Sequence, residues 1–112
     1  MSGIASVYAT FPDMEEAERI GRILVEGRLA ACVNILGPCR SIYHWEGAIE
    51  QATEVAALFK TSTAQAERLI ERLSELHSYD VPAAVAWPIE RTFPAFEQWV
   101  KTETENNPRE VI

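Results

Sequence analysis

Apolar and polar positions alternate from Ile4 to Phe11, with Ala5, Val7, Ala9 and Phe11 on one side and Ile4, Ser6, Tyr8 and Thr10 on the other. That is the period-two signature of a strand with one strongly apolar face. Pro12-Asp13 stops it, and Asp13 followed by Glu16 makes a capping-box-like helix start. The period then lengthens: Ala17, Ile20, Gly21, Leu24 and Val25 form a helical stripe, and Gly27 fits the exit. A second helix begins near Ser62-Thr63, with Gln65 placed to reach back to a Ser62 cap and Ala66, Leu69, Ile70, Leu73 and Leu76 as its buried face. Val81 to Ile89 reads as the next strand, with Pro82 and Pro88 near its ends, where a missing N–H costs least. Pro94 opens a short third helix carrying Phe96, Trp99 and Val100. Val111-Ile112 adds a short edge strand.

Between the first two helices lies an uninterrupted run from Ala30 to Thr61, two long strands joined by a tight turn at Glu46-Gly47 and broken at Gly37-Pro38. Each arm is roughly twice the usual strand length of about 5–6 residues. A dozen residues extend about 40 Å, whereas the two main helices, at about 14 residues each, reach only about 21 Å. The helices therefore cover only the base of this hairpin. Its tip carries Ile42, Tyr43, Trp45 and Ile49, and an apolar projecting edge invites pairing with another chain.

The order β-α-β-β-α-β plus a C-terminal helix, joined by right-handed crossovers, predicts an α+β ferredoxin-like sandwich with a long β2-β3 hairpin, both main helices lying on one sheet face. Val55, Ala57 and Phe59 lie opposite Ala56 and Leu58, so both faces need cover and a partner subunit is expected on the second. The 112 residues suit a single domain spanning 1–112.

A net charge of −7 argues against general nucleic-acid binding, which relies on Lys and Arg at phosphates. The N-terminus has no basic stretch before an apolar run, and no apolar segment approaches the roughly 20 residues of a membrane helix. Two cysteines make no disulfide framework. These features predict a reduced, cytoplasmic protein without a membrane partner.

Chemistry-bearing motifs are sparse. There is no nucleophile elbow, no Gly-rich phosphate loop and no Cys-His signature, so no catalytic residue is assigned. Metal ligands come from Cys32, Cys39, His44, His77, Met1 and Met14, without CxxC, HxH or HExxH spacing. A Cys/His set of this kind suits Cu(I) better than a hard cation, and an oligomer can bring copies together. Cys39 and His44 flank one strand. Glu46, Glu50 and Glu54 occupy even positions of one strand, sharing a face with Lys60. They read either as a solvated face or as a cleft in which Glu54 accepts and Lys60 is the cation. His77, near a helix C-terminus, gains from the macrodipole as a cation, or serves as a ligand.

Together these residues resemble the CutA family, small trimeric proteins associated with divalent-cation tolerance. The matching segments are AACVNILGPCRSIYHWEGAIE, then Glu54 through Phe59-Lys60-Thr61, His77-x-Tyr79-x-Val81-Pro82, Pro88-Ile89 and Trp99-Val100. The block Ser41-x-Tyr43-x-Trp45-x-Gly47-x-Ile49 is the most specific. The resemblance implies a homotrimer built through the long hairpins, thermal robustness, binding of copper or another divalent metal ion, no organic cofactor and no settled enzymatic reaction. It also implies an inter-subunit pocket at Cys32, Tyr43, Trp45, Glu54, Lys60, His77 and Tyr79. The chain departs from the family's His-Pro-Tyr at Ser78, from a glycine near Thr92, from a tyrosine at Phe96 and from a leucine at Glu97.

The expected function is thus homotrimeric divalent-cation tolerance, with Cys32 and His77 as the first ligand pair, Cys39 and His44 as the second, and Tyr43, Trp45, Glu54, Lys60 and Tyr79 around a ligand pocket. The alternatives are a regulatory trimer that binds a small anionic metabolite through Lys60, and a trimeric scaffold.

Overall fold

A computed structural model of the protein describes residues 2–105, so the edge strand expected at Val111-Ile112 lies outside the described residues. The elements are β1 (Ile4–Phe11), α1 (Met14–Glu26), β2 (Cys32–Trp45), β3 (Ala48–Ser62), a 3-10 turn (Thr63–Gln65), α2 (Ala66–Leu76), β4 (Ala84–Pro88) and α3 (Pro94–Glu103). The sheet order is β2-β3-β1-β4 and every neighbouring pair is antiparallel. This is the ferredoxin-like arrangement that the alternation of periods predicts.

Residue parity assigns the faces. Val7, Ala9 and Phe11 of β1 join Val55, Ala57 and Phe59 of β3 under Ala17, Ile20, Leu24, Leu69 and Leu73 of the two long helices. Burying each large apolar side chain stabilises by about 1.5–3 kcal/mol, and this layer is the main core. Ser6, Tyr8 and Thr10 pair with Lys60, Leu58 and Ala56 on the opposite face. There α3 packs Val100 against Ile4 and Ala31 at one end, with Ile89 and Phe96 beside them. Elsewhere that face is open: Val85 and Trp87 are exposed, and Trp87 stacks on Tyr8 with ring centroids 6.3 Å apart. The hairpin tip is open too, with Ile42 65% and Ile49 69% exposed.

Local chemistry explains most boundaries. Asp13 Oδ1 accepts the Glu16 N–H at 2.8 Å and caps α1. Glu46 (φ 49°) and Gly47 (φ 81°) form the left-handed pair that a two-residue hairpin turn requires. The break near Gly37-Pro38 is a β-bulge: Ile35 faces Ala57 but Gly37 faces Ala56, leaving Leu36 as the extra residue.

Three expectations change. The α1 exit is left-handed at Arg28 (φ 61°), not at Gly27, whose φ is −82°. Arg28 is held there by donating to Glu103 O at 3.1 Å and pairing with its carboxylate at 3.4 Å. Ser62 does not cap the second helix: a 3-10 turn intervenes, and Gln65 Nε2 instead donates to Thr104 O at 3.1 Å, tying that turn to the end of α3. The last strand is shorter than Val81 to Ile89: its ladder with β1 starts only at Ala84 and runs to Pro88, after which the Ile89 N–H still donates to Ile4 O at 3.1 Å. Residues 79–83 leave the ladder and become a wall of a cavity.

Candidate functional site

That cavity, about 530 Å³, lies on the open face between the hairpin and the segment leading into β4. Parity delivers its lining. Ser41, Tyr43 and Trp45 of β2 alternate onto the face that also holds Glu50 and Glu54 of β3 and Thr10 of β1, and Tyr79 to Ala83 close the side.

The central contact joins two of these walls. Tyr79 Oη donates to Glu54 Oε2 at 2.8 Å, and the Glu54 residue is only 8% exposed. Partial withdrawal from water, together with the carboxylate that accepts its proton, pushes the Tyr79 pKa up to about 12. No lysine, arginine or histidine pairs with Glu54 among the described residues.

His77 anchors the wall from behind. Its side chain is fully buried, stacked on Phe11 (5.1 Å) and tilted against Tyr79 (4.7 Å). Nε2 lies 2.8 Å from Thr10 O, and the Tyr79 N–H donates at 3.1 Å to Nδ1, which also lies 3.4 Å from Glu16 Oε2. Glu16 completes the anchor, accepting the Ser78 N–H and hydroxyl, each at 3.0 Å. His77, expected at the helix end as a cation or a ligand, is a buried side chain with both ring nitrogens engaged.

Within one chain, the sequence-predicted ligands are not brought together. Cys32 stands opposite Lys60, which pairs with Ser6, whereas His77 sits against Thr10, about 13 Å further along β1. Burial raises the Cys32 pKa, and the nearby Lys60 ammonium offsets this in part. Cys39 pairs across the ladder with Glu54, but His44 pairs with Ile49 and has the opposite parity. Among the described residues, no group of three or more His, Cys, Asp or Glu converges as a metal site. Lys60 does not line the cavity; its Nζ donates to Asn34 Oδ1 at 3.1 Å. Tyr43, Trp45, Glu54 and Tyr79 do converge. Thr10, Asp80, Val81 and Ala83 were not expected there. For Thr10, the alternation of β1 was the available signal; for the other three, only the truncation of β4 reveals it.

The sequence profile of the CutA1 divalent ion tolerance protein family matches residues 5–103. The chain belongs to that family. It is 43% identical to the divalent-cation tolerance protein CutA of Archaeoglobus fulgidus, over 88% of this chain and 96% of that one. The CutA of Pyrococcus horikoshii is 44% identical over 88% and 95% of the two chains. Among solved structures, CutA from Xylella fastidiosa superposes with a TM-score of 0.90 at 38% identity, covering 93% of this chain and all (100%) of that one. The Archaeoglobus fulgidus structure, described as a periplasmic CutA, gives 0.87 at 42% identity over 91% and 99%. These CutA1 relatives carry the fold assignment independently of the periodicity argument. No helix among the described residues is long and apolar enough to cross a membrane.

Proposed function

We propose that the protein is a homotrimeric divalent-cation tolerance protein that takes up copper or a similar metal ion at or near its subunit interfaces. Membership of the CutA1 family supports the general function. The observation that carries the assembly is uncovered apolar surface: Val85, Trp87, Tyr43 and Trp45 on the open sheet face, and Ile42 and Ile49 on the other side of the hairpin tip, are exposed. Such a surface favours association.

The metal reading follows from where the thiols stand. Cys32 and Cys39 are both free, and each occupies the open face, opposite Lys60 and Glu54 respectively. One chain gathers no metal cluster among its described residues, so a site from these donors draws on several copies. Soft thiolates favour Cu(I), and binding displaces their protons. His77 serves this function as the anchor of the cavity wall. Free thiols fit the reduced cytoplasmic setting, and the role is one of binding, not catalysis. A metabolite anion held by Lys60 is disfavoured, since the cavity walls carry Glu50, Glu54 and Asp80.

Native mass spectrometry during a Cu(I) titration, with Zn(II) in parallel, tests this reading. A trimer saturating at a fixed copper count, lost in a Cys32→Ser/Cys39→Ser variant that remains trimeric, is the expected result. A monomer, or a scatter of stoichiometries unchanged by the double substitution, would overturn it.

A further inference from the structure

The 530 Å³ cavity is acidic and aromatic at once. Glu50, Glu54 and Asp80 line it together with Tyr43, Trp45 and Tyr79, and no lysine or arginine among the described residues of the chain is in its walls. Glu54 decides the sign of charge it accepts. This carboxylate is nine-tenths buried, and its Oε2 receives one neutral donor from Tyr79. A buried carboxylate with one neutral donor is under-compensated, and an arriving cation relieves it. The Tyr79 hydroxyl is shifted upward first by its partial burial and then by the Glu54 carboxylate that it faces.

The other half of the wall selects the kind of cation. A small metal ion needs several convergent oxygen, nitrogen or sulfur donors, and no such group exists among the described residues. Ring faces instead attract a cation whose charge is spread over a larger body, and they pack against its carbon atoms. The volume is in the range of small-molecule pockets.

We infer that this cavity binds a small organic cation, an ammonium on an apolar body, its charge held by Glu54 and Asp80 and its body packed on Tyr43, Trp45 and Tyr79. Cys32 and Cys39 do not line the cavity, so this site and the proposed metal site can fail independently.

Calorimetry and tryptophan fluorescence on the full chain provide the test, with benzylammonium as probe. Benzyl alcohol is the uncharged match, benzoate the anion, Zn(II) the metal, and a single-lysine peptide the protein-borne source of the same group. Benzylammonium is expected to saturate one site per chain at least about tenfold more tightly than benzyl alcohol, with no benzoate binding. Zn(II) is expected not to displace it, and the peptide to bind more weakly. Glu54→Gln and Asp80→Asn are each expected to weaken binding about fivefold or more. Asp80 is exposed, so its substitution reports even where Glu54→Gln perturbs folding. Equal binding of ammonium and alcohol, indifference to both substitutions, displacement by Zn(II), or tighter binding of the peptide would each overturn the assignment.

Discussion

Replacing Tyr79 by Phe removes one oxygen atom and keeps the ring that packs on His77. What disappears is the 2.8 Å hydrogen bond to Glu54 Oε2. A hydrogen bond to a charged group contributes about 1.5–3 kcal/mol. The cavity admits water and Tyr79 itself is 36% exposed, so partial replacement by solvent puts the expected loss near the lower end, about 1.5 kcal/mol. Urea denaturation at fixed protein concentration reads it, since association contributes to apparent stability. A double-mutant cycle with Glu54→Gln separates the pair from general repacking, with an expected coupling of at least about 1 kcal/mol. An alkaline titration adds an independent signature. The folded chain holds the Tyr79 proton up to about pH 12, against 10 ordinarily. Between those values it binds more protons than the unfolded chain, so the contribution is complete below pH 10 and is lost as pH rises to 12. Tyr79→Phe should remove that component of the alkaline slope. A coupling indistinguishable from zero, or wild-type and variant slopes that coincide, would refute the reasoning.

Other consequences are equally direct. Glu97 accepts the Gly3 N–H at 2.9 Å and pairs with Lys101 at 3.2 Å, contacts that hold its carboxyl below the ordinary 4.5. Its contribution is present above pH 4.5 and lost on acidification, so Glu97→Gln should flatten the acid limb of a Tm-versus-pH curve; an unchanged limb would show that the contact is not stabilising. His77→Ala removes a fully buried ring and leaves Thr10 O without its donor, an expected cost of about 2–4 kcal/mol by chemical denaturation; a loss below about 1 kcal/mol would rule out the anchor role. A Cβ at Gly21 would lie 3.1 Å from Val33 Cγ1. Gly21→Leu should therefore overpack the contact between α1 and β2 by about 1–3 kcal/mol, and a melting temperature equal to wild type would show that the layers can separate freely.

Much of this architecture was legible in the order of residues. Alternation placed β1 and the hairpin arms, the Ile20-Leu24 and Leu69-Leu73 stripes placed the two core helices, and Glu46-Gly47 marked the turn, because these signals depend only on neighbours a few positions away. Tyr43, Trp45, Glu54 and Tyr79 of the cavity were implied by the family resemblance of the hairpin block and the His77-x-Tyr79 motif, not by periodicity. Tertiary structure decided what depends on distant partners. Val81 to Ala83 look like strand, yet the ladder with β1 begins only at Ala84, so the preceding residues turn into a wall. His77 and Gln65 are polar residues whose roles follow from acceptors far along the chain, Thr10 O and Thr104 O. The cysteines make the point most sharply. Strict alternation puts Cys32 and Cys39 on opposite faces, but the extra residue at Leu36 inverts the parity between them and brings both to the open one. The residue types came with the sequence; the side on which they act was decided by one bulge in the folded sheet, because a one-residue slip exchanges the two faces of a strand.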